Sequence, residues 1–130
     1  MAARLADAGV KLVLTGRSEA PLVDLRDCLP GEGHLVITAD LADREQTESL
    51  ISRVEAEAGP LDLLVNNAGI EVLSLYDELD AADLERAMEV NLIAPMLLTR
   101  AVLPGMLGRH RGHVVQMSSI AGLMGTACNE

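Results

Sequence analysis

Twenty acidic residues against ten basic ones give this 130-residue chain a formal charge of −10, which argues against the basic face that nucleic-acid binding requires. Hydrophobic residues make up 49% of it, enough for a core and against a disordered tail, and the length suits one domain over residues 1–130. The apolar share is almost wholly aliphatic, with no Phe, no Trp and one Tyr, which leaves little to stack on nucleobases.

The opening residues, up to Ala8, favour helix, and Gly9 suits the left-handed position just past a helix end. A short apolar strand is expected over Lys11–Thr15, then a helix capped by Ser18 and running to about Cys28, broken by Pro30-Gly31. His34–Thr38 reads as a second strand. Asp43 with Gln46 resembles a capping box, and Thr47, Leu50, Ile51, Val54 and Ala58 recur at helical spacing on the helix that follows. Gly59-Pro60 stops that helix, and Leu61–Val65 is a third strand. A long helix capped by Asp80 is predicted from Ala81 to about Leu107, with a kink near Pro95, which lacks a backbone donor. His113–Met117 is a fourth strand, and the residues after it are loop-like.

Strands alternating with helices, with strand cores apolar on both faces, predict a doubly wound α/β fold on a parallel sheet. Ligands in such sheets sit at the carboxyl ends of the strands. The chemically informative residues fall there: Arg17, Asp40-Leu41, Asn66-Asn-Ala-Gly69 and Ser118-Ser119.

At the tip Thr15-Gly16-Arg17, an acid that would bind the ribose hydroxyls of NAD is replaced by Gly16, and Arg17 offers a planar fork suited to the 2′-phosphate of NADP. Asp40 can accept a hydrogen bond from an adenine amino group, or serve only as a turn residue before a helix cap. Asn66-Asn-Ala-Gly69 combines amide donors and acceptors with small residues that admit a close ligand.

At this point the chain resembles the short-chain dehydrogenase/reductase family, over essentially all 130 residues but only the middle of that family's domain. The resemblance implies a Rossmann-like fold that is incomplete here, and hydride transfer between NADP(H), with NAD less favoured, and a carbonyl or secondary alcohol. It implies cofactor contact or support by Arg17, Asp40, Leu41, Asn66, Ala68 and Gly69. It also implies that Asn91, in the long helix, holds a proton-relay water through a helix distortion, and that Ser119 binds the substrate carbonyl while Ser118 is structural.

The glycine-rich phosphate turn of the family is not found, and neither is its Tyr-x-x-x-Lys. Tyr76, the single tyrosine, has Asp80 four residues on, and Lys11, the single lysine, starts a strand. The chain is therefore expected to be an inactive portion of a longer enzyme, with a missing central strand between the first and third visible ones. The alternative is a non-catalytic module that pairs with an intact subunit through helix 81–107, which is apolar around more than one face; the family's use of this helix between subunits implies a homo-oligomer. A receiver domain or a methyltransferase fits the motifs poorly.

Cys28 and Cys128 lack metal-ligand spacing and read as reduced, partly buried thiols of a cytoplasmic protein with no metal site. Arg109-His110-Arg111 reads as a solvated loop. No leader is recognised in the first ten residues and no stretch approaches the ~20 apolar residues of a membrane span.

Overall fold

The computed structural model describes residues 1–72 and 74–119. The predicted loop after Ser119, with Cys128, lies outside the described residues. The chain divides into two compact units, Met1–Pro60 and Leu61–Glu130.

The first unit opens with helix α1, Ala2–Asp7. Gly9, at φ 80°, ends it as predicted: the Gly9 N–H donates to the Ala6 carbonyl at 2.8 Å and the Val10 N–H to Leu5 at 3.0 Å, the paired closure that a left-handed glycine permits. Strand β1, Val13–Gly16, leads into α2, Glu19–Asp27. Ser18 stands at the N-cap of α2 but its side chain makes no capping bond. Strand β2, Leu35–Thr38, lies parallel to β1 with Val13 opposite Leu35 and Gly16 opposite Thr38. Helix α3, Arg44–Ala58, follows and ends at Gly59, φ 81°. Its predicted stripe is buried at Thr47, Leu50, Ile51 and Val54 and joins Ile37, Ala39, Ala6 and Leu29 in this unit's core, but Ala58, expected on the same face, is exposed in the last turn beside Gly59. Thr47 is 1% exposed and is admitted to the core because its hydroxyl donates to the Leu41 carbonyl at 3.3 Å.

The second unit holds strands β3, Leu63–Asn66, and β4, His113–Gln116, parallel and in register from Leu63–His113 to Asn66–Gln116. A 3-10 turn, Tyr76–Glu78, precedes α4, Ala81–Met88. Asp80 caps α4 by accepting the Ala82 N–H at 2.9 Å. The long helix is interrupted as expected, but by a π segment, Glu89–Ile93, after which α5 runs over Ala94–Gly108 with Pro95 in its first turn. Pro104 lies inside α5, a second missing donor that the sequence reading passed over. Val90, Ala94, Leu98, Val102 and Met106 recur every fourth residue and are all buried; this is the stripe that α5 lays on β3 and β4.

The continuous helical run Ala81–Gly108, 28 residues with a mean hydropathy of 1.5 in its most apolar window, is long and apolar enough to cross a membrane by those measures. That corrects the expectation that no stretch comes near it. Length and composition alone give this result, 28% of that window is buried, and the core helix of a folded domain passes the same test.

Four strands thus form two separate two-stranded parallel sheets, β1–β2 and β3–β4. No ladder joins β1 to β3 among the described residues.

Candidate functional site

In the first unit, the predicted adenosine-side residues follow the carboxyl ends of β1 and β2. Arg17 comes directly after β1, is exposed, and has no ion pair among the described residues. Asp40 and Leu41 follow β2. There the chain turns tightly: the Asp40 carboxylate accepts the Ala42 N–H at 3.0 Å, and the Asp43 N–H donates to the Asp40 carbonyl at 3.0 Å. The Leu41 N–H has no partner among the described residues. Lys11 lies at the other, amino end of β1, its side chain beside Gly33, and so is remote from these strand ends as predicted.

The predicted capping box forms in altered shape. Asp43 accepts the Gln46 N–H at 3.1 Å, as a cap should. This bond and the Gln46 side chain hold the Asp43 carboxyl below its ordinary range. The Gln46 side chain, however, reaches past Asp43 to accept the Asp40 N–H at 3.1 Å. Sequence spacing could not indicate this, because the bond spans six residues and needs the turn at residues 40–43.

In the second unit, Asn66 closes β3 and is buried, 8% exposed. Its side-chain amide donates to the Pro95 carbonyl at 3.5 Å and the Thr99 hydroxyl at 3.4 Å, and Gln116, closing β4, donates to the same hydroxyl at 3.0 Å. Thr99 thereby links the ends of both strands to α5, a role its place among the helix's apolar residues concealed. Ala68 and Gly69 are exposed beyond β3. A Cβ at Gly69 would meet only Asn91 Oδ1, at 3.5 Å, so this turn can be approached closely.

Asn91 lies within the π segment rather than in regular helix. The Ile70 N–H donates to Asn91 Oδ1 at 2.9 Å, and Asn91 Nδ2 donates to the Ile70 carbonyl at 2.8 Å. One amide side chain thus satisfies both backbone groups of the residue after Asn-Asn-Ala-Gly. Four residues beyond Asn91, Pro95 has no N–H with which to close a helical bond on the Asn91 carbonyl. Ser118 and Ser119 follow β4 and are exposed. Tyr76 falls in the 3-10 turn before α4.

The basic triplet is not a solvated loop throughout. Arg109 donates to the Leu61 carbonyl at 2.7 Å, and Arg111 forks onto both carboxylate oxygens of Asp62. The fork holds the Asp62 carboxyl below the usual range. Both contacts lie at the amino ends of β3 and β4. Cys28 is a free thiol that is exposed rather than partly buried as expected, since it stands at the C-cap of α2, and no cluster of metal-binding side chains occurs among the described residues.

The family model described as short chain dehydrogenase matches residues 1–130. A short chain dehydrogenase of Pseudocercospora fijiensis is 42% identical over 119 residues, covering 88% of this chain and 38% of that protein. An NADP-dependent 3-hydroxy acid dehydrogenase of Salmonella typhi is 36% identical over 123 residues, covering 94% of this chain and 49% of that protein. A closed form of serine dehydrogenase complexed with NADP+ superposes with a TM-score of 0.84 at 32% identity, covering 96% of this chain and 50% of that one. The chain thus spans half or less of the length of these relatives. It belongs to the short-chain dehydrogenase family, and its fold class is the Rossmann-like doubly wound α/β fold of those neighbours.

Proposed function

We propose that these 130 residues are the cofactor-flanking and carbonyl-holding part of an NADP(H)-dependent oxidoreductase domain that interconverts a carbonyl compound and a secondary alcohol. The observation that carries the reading is the pair of hydrogen bonds between Asn91 and the Ile70 backbone. They join the Asn-Asn-Ala-Gly turn and the helix asparagine, two motifs far apart in sequence, into one element. NADP-dependence in a relative and an NADP+ complex of a structural neighbour support the choice of cofactor.

The residues present fit the nucleotide. Arg17 would take the 2′-phosphate, because its guanidinium has no competing carboxylate among the described residues. The Asp40 carboxylate and the Leu41 N–H, which has no partner among the described residues, would hold the base. Asn66, Ala68 and Gly69 would border the other half of the cofactor. Bound NADP(H) supplies or accepts the hydride. Ser119 would donate a hydrogen bond from its hydroxyl to the substrate carbonyl oxygen, stabilising charge that grows there during reduction. The Asn91 side chain is committed to Ile70, so its main-chain carbonyl, left without an i+4 donor by Pro95, would hold the relay water.

No Tyr-x-x-x-Lys occurs in these 130 residues, so by themselves they lack the proton donor and are inactive. The exposed Cys28 thiol suits a reducing, cytoplasmic setting. A second reading, association through α4–α5 with another copy or an intact subunit, is favoured by Met88 at 53%, Met96 at 60% and Leu107 at 67% exposure.

The test is calorimetric titration of the folded chain with NADPH, NADH serving as control. Saturable binding that prefers NADPH and falls about tenfold or more in Arg17→Ala is expected, since charge-assisted bonds of this kind are worth about 1.5–3 kcal/mol. Equal binding of both cofactors, unaffected by Arg17→Ala, would remove the assignment to NADP.

A further inference from the structure

We propose that Gln46 is a specificity-determining positioning residue, which fixes the hydrogen-bonding groups that read the nucleotide base; this rests on the assignment of Asp40 and Leu41 to that base. Gln46 stands in the first turn of α3 and is only partly exposed. Its carbonyl oxygen accepts the Asp40 N–H at 3.1 Å, and its amide nitrogen donates to Asp43 Oδ2 at 2.7 Å. The orientation of the amide is therefore fixed from both ends, by a donor on one side and a carboxylate on the other.

The consequence lies in the turn itself. Of the four backbone N–H groups in residues 40–43, the one on Asp40 is taken by Gln46, that on Ala42 by the Asp40 carboxylate and that on Asp43 by the Asp40 carbonyl. The Leu41 carbonyl is held by the Thr47 hydroxyl. Among the described residues only the Leu41 N–H of these four is left to face a ligand, and it stands next to the residue that bears the Asp40 carboxylate. A donor and an acceptor on adjacent residues form a matched pair for the N1 and 6-amino edge of adenine. They are mismatched to hypoxanthine, which presents N1–H and an oxo group. Gln46 sets their spacing, because it pins the backbone of the residue that bears the carboxylate.

Replacing Gln46 spares the helix cap, since Asp43 accepts the backbone N–H of residue 46. The chain, Gln46→Met and Gln46→Ala are each titrated by calorimetry with 2′,5′-ADP and with its hypoxanthine analogue, after thermal unfolding has verified the fold. The wild-type chain is expected to favour the adenine compound by about tenfold or more, as sites built to hydrogen-bond a group reject ligands lacking it. Whichever variant folds should narrow that preference to about threefold or less, the loss falling on the adenine compound. An unchanged preference, including equal weakening of both compounds, would overturn the inference and leave Gln46 a structural residue. Failure of the folded wild-type chain to bind either compound would overturn the adenosine-site reading and this inference with it.

Discussion

The Asn91 side chain makes two hydrogen bonds to a single residue, and each can be tested separately. Asn91→Ala leaves the Ile70 N–H and carbonyl to water, and with each bond worth about 1 kcal/mol net, a loss of about 1–2 kcal/mol in urea unfolding is expected. Asn91→Asp keeps an acceptor for the Ile70 N–H but sets a carboxylate against the Ile70 carbonyl, so it should not recover the loss in full. Unfolding free energies of both variants within error of wild type would show that the clamp is idle. A second residue-scale prediction concerns acid. Asp62 has a depressed carboxyl pKa in the fold because Arg111 bonds its ionised form. The unfolded state therefore takes up protons first, and the stability contributed by this pair is present at neutral pH. It is lost as the pH falls through the ordinary carboxylate range toward the lowered value. In Asp62→Asn the acid-induced loss of stability should be shallower than in wild type; parallel pH profiles would discount the pair. Asp62 is exposed, so screening by salt should reduce the difference.

Among the secondary-structure elements, α5 is held to β4 through a tight loop that tolerates little bulk. A Cβ on Gly112 would come 2.4 Å from Met106 Cγ and 2.8 Å from Met106 Cβ, distances at which the methionine or the loop must move. Gly112→Ala should cost about 1–3 kcal/mol, the usual range for overpacking, and a smaller Met106 in the same chain should recover part of it. Such contacts were not legible in the sequence, where Gly112 reads only as a loop glycine. What was legible depended on local rules. Gly9 announced its helix end because a left-handed closure favours glycine, and the α3 stripe from Thr47 to Val54 declared its buried face by spacing alone. Strand centres were found, with ends displaced by up to two residues: β3 runs to Asn66 rather than ending at Val65. The helix interruption was expected from Pro95, yet its π form was not, since it lies at residues 89–93 where Asn91 grips Ile70. That grip joins positions 21 residues apart. In the candidate site, likewise, residues belonging to motifs could be named in advance, whereas Gln46 and Thr99 act through bonds that only the folded chain creates.

For the whole molecule the question is what lies on the outer face of α4–α5. Leu84, Met88, Leu92 and Met96 recur every fourth residue and are all more than a third exposed, and Leu103 and Leu107 continue the exposure toward the helix end. A shallow groove of about 420 Å³ borders the same helix, walled by Met96, Leu103, Pro104 and Leu107 with Arg100 among them. The stripe on the opposite side, from Val90 to Met106, already supplies the contact with the sheet, while among the described residues the outer one stays exposed. Single exposed apolar residues are ordinary, but a contiguous row of them marks an interaction surface. A chain of charge −10 repels its copies at long range, so association through this face must be driven by apolar burial and should strengthen with salt. Sedimentation velocity is therefore expected to show concentration-dependent self-association that increases between low and moderate ionic strength. Met96→Glu places a charge at the centre of the row, on a side chain 60% exposed. It should return the chain to monomer while changing unfolding free energy by no more than about 0.5 kcal/mol, the usual limit for exposed sites. A wild-type chain that sediments as a monomer at every concentration and salt would assign the outer face no role in self-association. A Met96→Glu chain that associates as wild type does would move the contact to another surface.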